Sequence, residues 1–137
     1  MKNKQITKKI VMGKFKGTTL KLPSMVTTRS SKNIVLESFF NTIQFEIIDS
    51  NFVEVFSGSG SIGLEALSRG ASSIVFMEKD REALKVLKEN ISKTDPNSCE
   101  VFSGDSFENI SAVIKSLKKK GEDAYFYIDP PFSVREG

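Results

Sequence analysis

Residues 51–70 read NFVEVFSGSGSIGLEALSRG, and this stretch decides the fold. It opens with a short apolar run over residues 52–56, which has the length of a buried strand, and passes into a serine and glycine turn over residues 57–60. After the turn, apolar residues recur at helical spacing, at Ile62, Leu64, Ala66 and Leu67, and this helical pattern ends at Gly70. The stretch therefore predicts a strand, a tight turn and a helix.

Outward from this stretch, predicted strands and helices alternate. Further strands are predicted over residues 74–77, 99–102 and 124–128, and helices over about residues 33–43, 80–91 and 107–119. Such alternation is typical of an α/β protein, with a parallel sheet and helices on both faces. Upstream, residues 9–13 and 17–22 predict a short hairpin. We divide the chain into a basic hairpin extension, residues 1–25, and a ligand-binding domain, residues 26–137.

The composition restricts the chemistry. The 137 residues are 39% hydrophobic, which suffices for one core. No apolar stretch has the length of a membrane helix and no signal-peptide core is present, so we expect a soluble, cytoplasmic protein. Cys99 is the only cysteine and histidine is absent, which excludes a disulfide framework and the usual metal ligands. Any chemistry must use carboxylates, backbone groups or a cofactor.

The charge is divided unevenly along the chain. Residues 1–32 hold nine basic residues and no acidic one, which leaves 11 basic and 17 acidic residues in the remainder. A basic leader on an acidic body is expected where one segment contacts a polyanion, although a solvated basic tail has the same composition. Lys14, Phe15 and Lys16 at the predicted hairpin turn would suit phosphate contact and base stacking.

Three candidate ligand-binding features follow the predicted strands. The loop Gly58-Ser59-Gly60-Ser61-Ile62-Gly63 matches G-x-G-x-x-G, which fits a dinucleotide, a nucleoside such as S-adenosylmethionine, or a turn without a ligand. Glu78 could accept hydrogen bonds from a ribose diol or be an exposed acid at a helix start. Asp105 could accept a hydrogen bond from an adenine amine or cap the next helix.

The sequence Asp129-Pro130-Pro131-Phe132 is the most specific signal. Two consecutive prolines cannot donate to a sheet, so the preceding strand must end in a rigid turn. Asp129 and the Pro130 carbonyl would hold an amine with its lone pair directed outward, and Phe132 would support a planar base. The alternative is a proline-terminated strand with a buried phenylalanine.

The glycine loop and this tetrapeptide together resemble the class I S-adenosylmethionine-dependent methyltransferases that modify exocyclic amino groups of bases. More narrowly, residues 56–71, FSGSGSIGLEALSRGA, are similar to the RsmD-type 16S ribosomal RNA guanine methyltransferases. Residues 10–17, IVMGKFKG, and 37–41, ESFFN, are similar to that family's N-terminal hairpin and following helix. The chain departs from the family's usual proline and arginines, with Ser30, Ile34 and Leu36 in their places.

The resemblance implies a Rossmann-like class I methyltransferase fold and roles for individual residues. The implied cofactor contacts are Glu54, Phe56, Ser57, Gly58, Ser59, Gly60, Glu78, Asp105 and Ser106. The implied catalytic turn is Asp129, Pro130, Pro131 and Phe132, which would orient the target amine and stack on a flipped base. The implied RNA contacts are Lys14, Phe15, Lys16 and Arg29. No metal is implied.

The implied activity is methyl transfer from S-adenosylmethionine to the 2-amino group of a guanine in small-subunit ribosomal RNA, free or within the small ribosomal subunit. An alternative within the same fold is an amino methyltransferase acting on DNA adenine or cytosine, or on a protein amine. More remote alternatives are a dinucleotide-dependent oxidoreductase, which leaves residues 129–132 unexplained, and a non-catalytic RNA-binding module, which the basic leader alone would support.

The family that the chain resembles continues past the Asp-Pro-Pro-Phe turn with further strands and helices, whereas five residues follow Phe132 here. We therefore expect the family's C-terminal strands to be missing, which would leave the strand bearing the motif as an open sheet edge. Truncation, natural shortening and association through that edge would each account for this. We expect the chain to bind S-adenosylmethionine whether or not it turns over alone.

Overall fold

The computed structural model describes residues 6–22, 30–120 and 123–129, with the backbone alone at residues 30–35, 106, 107 and 120. The elements along the chain are β1 (Thr7–Lys9), β2 (Thr19–Lys21), α1 (Ser30–Thr42), β3 (Asn51–Val55), α2 (Ser61–Ser68), β4 (Ser73–Glu78), α3 (Arg81–Ser92), a 3₁₀ turn (Pro96–Ser98), β5 (Cys99–Ser103), α4 (Ser106–Lys120) and β6 (Ala124–Ile128). The predicted helices and central strands are confirmed with small shifts at their ends, and β6 has the predicted bounds.

Four parallel strands form the central sheet, in the order β5-β4-β3-β6. Val55 of β3 pairs with Met77 on one side and with Ile128 on the other, and Glu78 pairs with Ser103. The four strands therefore end at one edge, which we call the carboxyl edge, and the loops that follow them lie side by side. β6 lies at one side of this sheet, next to β3.

Helices cover both faces of the sheet. Phe52, Ile74 and Phe76 are fully buried on one face, in a cluster with apolar residues of α1, α2 and α3. Val53 and Met77 point to the other face and pack with apolar residues of α4. The predicted α/β class with a parallel sheet is thus confirmed. In the part of the chain that the structure describes, no helix is both long and apolar enough to cross a membrane.

We call the cluster around Phe52, Ile74 and Phe76 the first core, and the cluster of Val53 and Met77 with α4 the second core. The hairpin of β1 and β2 contributes to the first core. β1 pairs antiparallel with β2, with Lys8 opposite Leu20. Ile10 and Leu20 are 2% and 1% exposed, in the same cluster as the buried residues of the central sheet. The predicted division of the chain at residue 25 falls among residues 23–29, outside the described residues, and stays a prediction.

The prediction that the first strand covers residues 9–13 is wrong, because β1 ends at Lys9. Beyond that point the backbone N–H groups of Val11 and Met12 donate to the Glu65 carboxylate, at 2.9 and 3.1 Å. These two N–H groups therefore donate hydrogen bonds to a side chain of α2, and not to the backbone of a neighbouring strand.

Ser68 of α2 makes a second attachment to the hairpin turn. Its hydroxyl donates to the Met12 carbonyl oxygen at 2.6 Å and accepts from the Phe15 N–H at 2.9 Å. Gly13 packs directly against this serine with a φ of 93°, and a Cβ there would lie 1.9 Å from the Ser68 carbonyl oxygen. Only glycine fits this approach.

Candidate active site

The carboxyl edge carries most of the residues predicted to form the site. The loop over residues 56–60 follows β3, Glu78 ends β4, Asp105 follows β5 and Asp129 directly follows β6. Because the strands are parallel and paired in register, these groups lie along one edge of the sheet. Of the other predicted residues, Arg29, Pro130, Pro131 and Phe132 lie outside the described residues.

Ser57 anchors the loop after β3 to the neighbouring strand. Its backbone N–H donates to the Met77 carbonyl oxygen at 2.8 Å, and its hydroxyl accepts from the Met77 N–H at 3.0 Å. The same hydroxyl donates to the Glu54 carbonyl oxygen at 2.7 Å. The buried Ser57 side chain therefore fixes the start of the loop.

The three glycines of the loop have different surroundings. A Cβ at Gly60 would lie 2.3 Å from Leu87, and one at Gly63 would lie 2.4 Å from the Phe76 ring. These two glycines let α2 pack closely against β4 and α3. At Gly58, where φ is 56°, no atom lies within 4 Å of the Cβ position. The loop backbone is thus accessible to a ligand at Gly58 and packed tightly at the other two glycines.

Glu78 holds the loop from the end of β4. Its Oε1 accepts the Gly58 N–H at 2.8 Å and its Oε2 accepts the Asp80 N–H at 2.9 Å. The half-buried carboxylate is therefore a bridge between two backbone segments, and not a freely solvated acid at a helix start. Each carboxylate oxygen has a further lone pair that could accept a ligand hydroxyl.

Glu54 lies beneath the loop and is 3% exposed. Its Oε1 accepts the Gly63 N–H in the first turn of α2 at 2.9 Å, where a negative charge also complements the helix dipole. The next residue but one, Phe56, has a φ of 62° and packs against the second core. A left-handed conformation at a non-glycine residue is strained, and such strain is typical of functional sites.

Asp105 is exposed and acts as a helix cap. Its Oδ1 accepts the Glu108 N–H at 3.4 Å, which is a long hydrogen bond. The capping alternative weighed from the sequence is thus observed, and the predicted contact with an adenine amine stays a prediction. The backbone of Ser106 begins α4, but its side chain is not among those described.

Tyr127 is a residue at this edge that was not predicted from the sequence. It lies two positions before Asp129, on the same side of β6, and it pairs in register with Glu54. Burial raises the pKa of its phenol to about 12, and the negative charges of Asp129 and Glu54 act in the same direction. Side chains of a strand alternate between its two faces, so the residue two positions before Asp129 shares its side. This alternation is the sequence signal that would have indicated Tyr127.

We expect the Tyr127 phenol to stay protonated in the folded protein up to about pH 12. Its pKa is raised from the ordinary 10, so the unfolded chain ionises first. The stability that this phenol contributes is present below pH 10 and is lost as the pH rises toward 12. The difference between ultraviolet absorbance titrations of the native protein and of Tyr127→Phe isolates this group. A difference titration centred near pH 10 would contradict the expectation.

Asn90 of α3 connects the glycine loop to the hairpin and was also not predicted. It is fully buried. Its side-chain N–H groups donate to the Ser59 carbonyl oxygen at 2.9 Å and to the Lys21 carbonyl oxygen at 2.8 Å. Its Oδ1 accepts the Lys21 N–H at 2.9 Å. One amide thus fixes the glycine loop relative to β2.

The predicted RNA contacts lie at the hairpin turn. Lys14 and Lys16 are exposed, whereas Phe15 is half-buried and packs against the first core. The Lys14 ammonium lies 5.2 Å from the centre of the Phe15 ring, within the range of a cation–π contact. The turn therefore presents two exposed cations, one of them over a partly buried ring.

A cavity of about 450 Å³ lies at the opposite edge of the sheet, against α4. Cys99 lines it, and burial raises the pKa of this thiol to about 12, with the charge of Asp95 adding to the shift. The thiol is therefore protonated at neutral pH and a poor nucleophile.

Within residues 6–22, 30–120 and 123–129, no three acidic, cysteine or histidine side chains form a metal-binding group.

Comparison with known proteins identifies the family. Residues 8–137 match the model of the family described as Conserved hypothetical protein 95, which is the RsmD family. The chain belongs to the RsmD family. The resemblance stated from residues 56–71 and from the tetrapeptide 129–132 is thereby confirmed.

Curated members of the RsmD family are named as ribosomal RNA methyltransferases. Ribosomal RNA small subunit methyltransferase D of Escherichia coli (strain K12) is 30% identical over 125 residues, which cover 90% of this chain and 60% of that protein. The protein of the same name from Buchnera aphidicola subsp. Baizongia pistaciae is 33% identical over 134 residues, which cover 97% of this chain and 65% of that protein. The chain thus spans less than two thirds of the length of these two relatives.

Solved structures confirm the fold expected for the RsmD family. The structure of yhhF from Escherichia coli, described as a candidate methyltransferase, has a TM-score of 0.69 and 28% identity, and the match covers 77% of this chain and 58% of that one. The O-methyltransferase of Bacillus cereus in complex with SAH is 15% identical with a TM-score of 0.52, over 79% of this chain and 47% of that one. The predicted Rossmann-like class I methyltransferase fold is confirmed.

Proposed function

We propose that this chain carries the cofactor-binding and amine-binding residues of an S-adenosylmethionine-dependent enzyme that methylates the 2-amino group of a guanine in small-subunit ribosomal RNA. The observation that carries the proposal is the arrangement at the carboxyl edge. Glu78 holds the open backbone of Gly58, and Asp129 follows the strand that pairs with β3. The names of the relatives in the RsmD family support ribosomal RNA as the substrate.

The residues of the glycine loop fit S-adenosylmethionine. Gly58 leaves open space beside the backbone, and Glu78 keeps lone pairs for a ribose diol while it holds the loop. The carboxylate of Asp105 would accept from the adenine amine. When bound, the cofactor would supply an electrophilic methyl carbon: the substrate nitrogen would form the N–C bond as the C–S bond breaks, S-adenosylhomocysteine would leave, and the methylated amine would release a proton to solvent.

The amine is held by the end of β6. Asp129 would accept hydrogen bonds from the exocyclic amino group, and the Pro130 carbonyl and Phe132 ring would complete its alignment. Tyr127 is a neutral donor close to the charges of Asp129 and Glu54, and it can fix the orientation of a carboxylate by donating to it. Catalysis would then rest chiefly on proximity and alignment.

The proposal is tested with methyl-labelled S-adenosylmethionine and three substrates, which are small ribosomal subunits lacking the modification, naked small-subunit RNA and duplex DNA. We expect label in the 2-amino group of a guanine in the RNA, free or in the subunit. Label in DNA alone would overturn the RNA substrate. Binding of NAD without binding of S-adenosylhomocysteine would overturn the cofactor, and RNA binding without cofactor affinity would leave a binding module.

The proposed partners follow from the same site and from the charge of the hairpin. Ribosomal RNA or the small subunit would approach along the basic residues of the leader, with Lys14 and Lys16 exposed toward it. An enzyme with this substrate acts where ribosomes are assembled, so the cytoplasmic location expected from the sequence belongs to the proposal.

We expect Glu78→Ala to weaken binding of S-adenosylhomocysteine by roughly 10- to 100-fold, the value of a hydrogen bond to a charged group. The variant loses the acceptor for the ribose and also the anchor of the Gly58 N–H. Isothermal titration calorimetry measures the change. Glu82→Ala is the matched control, since Glu82 is an exposed acid in the first turn of α3. Equal affinities of Glu78→Ala and the control would contradict the assignment.

A further inference from the structure

A groove of about 250 Å³ lies between β1, α1 and α2 and has no role in the site described above. Leu36, Phe40 and Ile62 are among the residues that line it, and each is less than a tenth exposed. Lys8 and Lys9 of β1 line the same groove. The groove therefore combines an apolar floor with two cations from the basic leader.

The acidic residues of the groove differ in their surroundings. The Glu65 carboxylate is 6% exposed and is engaged by the Val11 and Met12 N–H groups and by the Arg69 guanidinium at 2.8 Å. That guanidinium lies 4.7 Å from the centre of the Phe40 ring. Glu37, by contrast, is exposed. Hydrogen bonds thus offset the buried acid, and Glu37 is the lining carboxylate that an approaching anion would meet.

The groove reaches the first turn of α2, which directly follows the glycine loop in the chain. Ser61 and Ile62 line it, and they directly follow Gly60 in the first turn of α2. An apolar surface beside lysines is the combination with which proteins hold single-stranded nucleic acid. The apolar surface contacts a nucleobase, and the lysines neutralise a phosphate.

We propose that this groove binds one nucleotide of the RNA strand next to the target guanine, with its phosphate at Lys8 and Lys9 and its base over the small exposed part of the apolar floor. The inference rests on the proposed function, because it takes RNA as the substrate. It adds a subsite that fixes the path of the strand past the glycine loop. Lys8 and Lys9 are distinct from the lysines of the hairpin turn.

Binding of naked small-subunit RNA over a range of salt concentrations tests the subsite. Lys8→Ala/Lys9→Ala should weaken binding by roughly fivefold or more at low salt, and should reduce the slope of log affinity against log salt by about one for each lost phosphate contact. Glu37→Lys should strengthen binding, because it replaces the exposed carboxylate with a cation. The matched control is Lys115→Ala/Lys118→Ala, a pair of exposed lysines on α4 across the sheet.

Affinity for S-adenosylhomocysteine and the melting temperature show that each variant is folded. If Lys8→Ala/Lys9→Ala loses no more RNA affinity than the α4 control, or if Glu37→Lys weakens binding, the subsite is refuted. That result leaves the proposed function intact as long as the native chain still labels RNA. If the native chain binds S-adenosylhomocysteine but neither binds nor labels RNA, the proposed substrate fails, and the subsite fails with it.

Discussion

Asp129→Ala is expected to lower methyl transfer to RNA by about 100-fold or more while affinity for S-adenosylhomocysteine stays nearly unchanged. Asp129 directly follows β6. This strand lies next to β3, which leads into the glycine loop, so Asp129 is not itself a residue of that loop. Its carboxylate would align the target amine and would not hold the cofactor. Single-turnover methylation with labelled cofactor measures the first quantity, and calorimetry the second.

Asp123→Ala is the matched control for this prediction. Asp123 is exposed and precedes the same strand, at the edge of the sheet opposite to Asp129. We expect the control to methylate RNA at the native rate. The contrast with Glu78→Ala is equally informative, since that variant should lose the cofactor first. If the variants at positions 78 and 129 lose cofactor affinity equally, the division between cofactor-binding and amine-binding residues is wrong.

Asn90→Leu is expected to destabilise the fold by about 3 kcal/mol, which lowers the Tm of a chain of this size by roughly 10 °C. Leucine has nearly the same shape as asparagine but neither donates nor accepts hydrogen bonds. The substitution leaves the Lys21 N–H and the carbonyl oxygens of Lys21 and Ser59 without their partner at a fully buried position. Unmade hydrogen bonds in the interior cost more than the bonds themselves contribute.

Glu89→Gln provides the neighbouring comparison. Glu89 forms an ion pair with the Lys21 ammonium at 2.7 Å, and the side chains of both residues are substantially exposed. Loss of this exposed ion pair should leave the Tm almost unchanged, because solvent screens it. Thermal unfolding followed by circular dichroism measures both variants. A Tm for Asn90→Leu close to that of Glu89→Gln would show that the buried amide does not hold the hairpin.

The order of strands and helices could be predicted because its signals are local. Apolar runs such as residues 52–56 are bounded by glycine or proline, and the helices carry apolar residues at helical spacing. The parallel arrangement of the strands then follows from the alternation of elements, and with it the location of Glu78 and Asp129 at the carboxyl ends. No information from distant parts of the chain was needed for these conclusions.

The contacts made by Glu65, Ser68 and Asn90 could not be predicted in this way. Each is a polar residue on a helix, where sequence pattern usually indicates a solvent-facing position. Their partners in the hairpin lie 53 to 69 residues away, so only the folded chain shows that they satisfy backbone groups there. The same holds for Glu78, whose position was predicted but whose hydrogen bond to Gly58 was not.

The attachment of the hairpin by later helices has a consequence for synthesis on the ribosome. Lys21 precedes Asn90 by 69 residues, and at about 5–20 residues per second roughly 3–14 s separate their incorporation. A two-stranded hairpin is only marginally stable alone, and the strands here have three residues each. The basic segment is therefore made early and gains its fixed shape only after α3 has emerged.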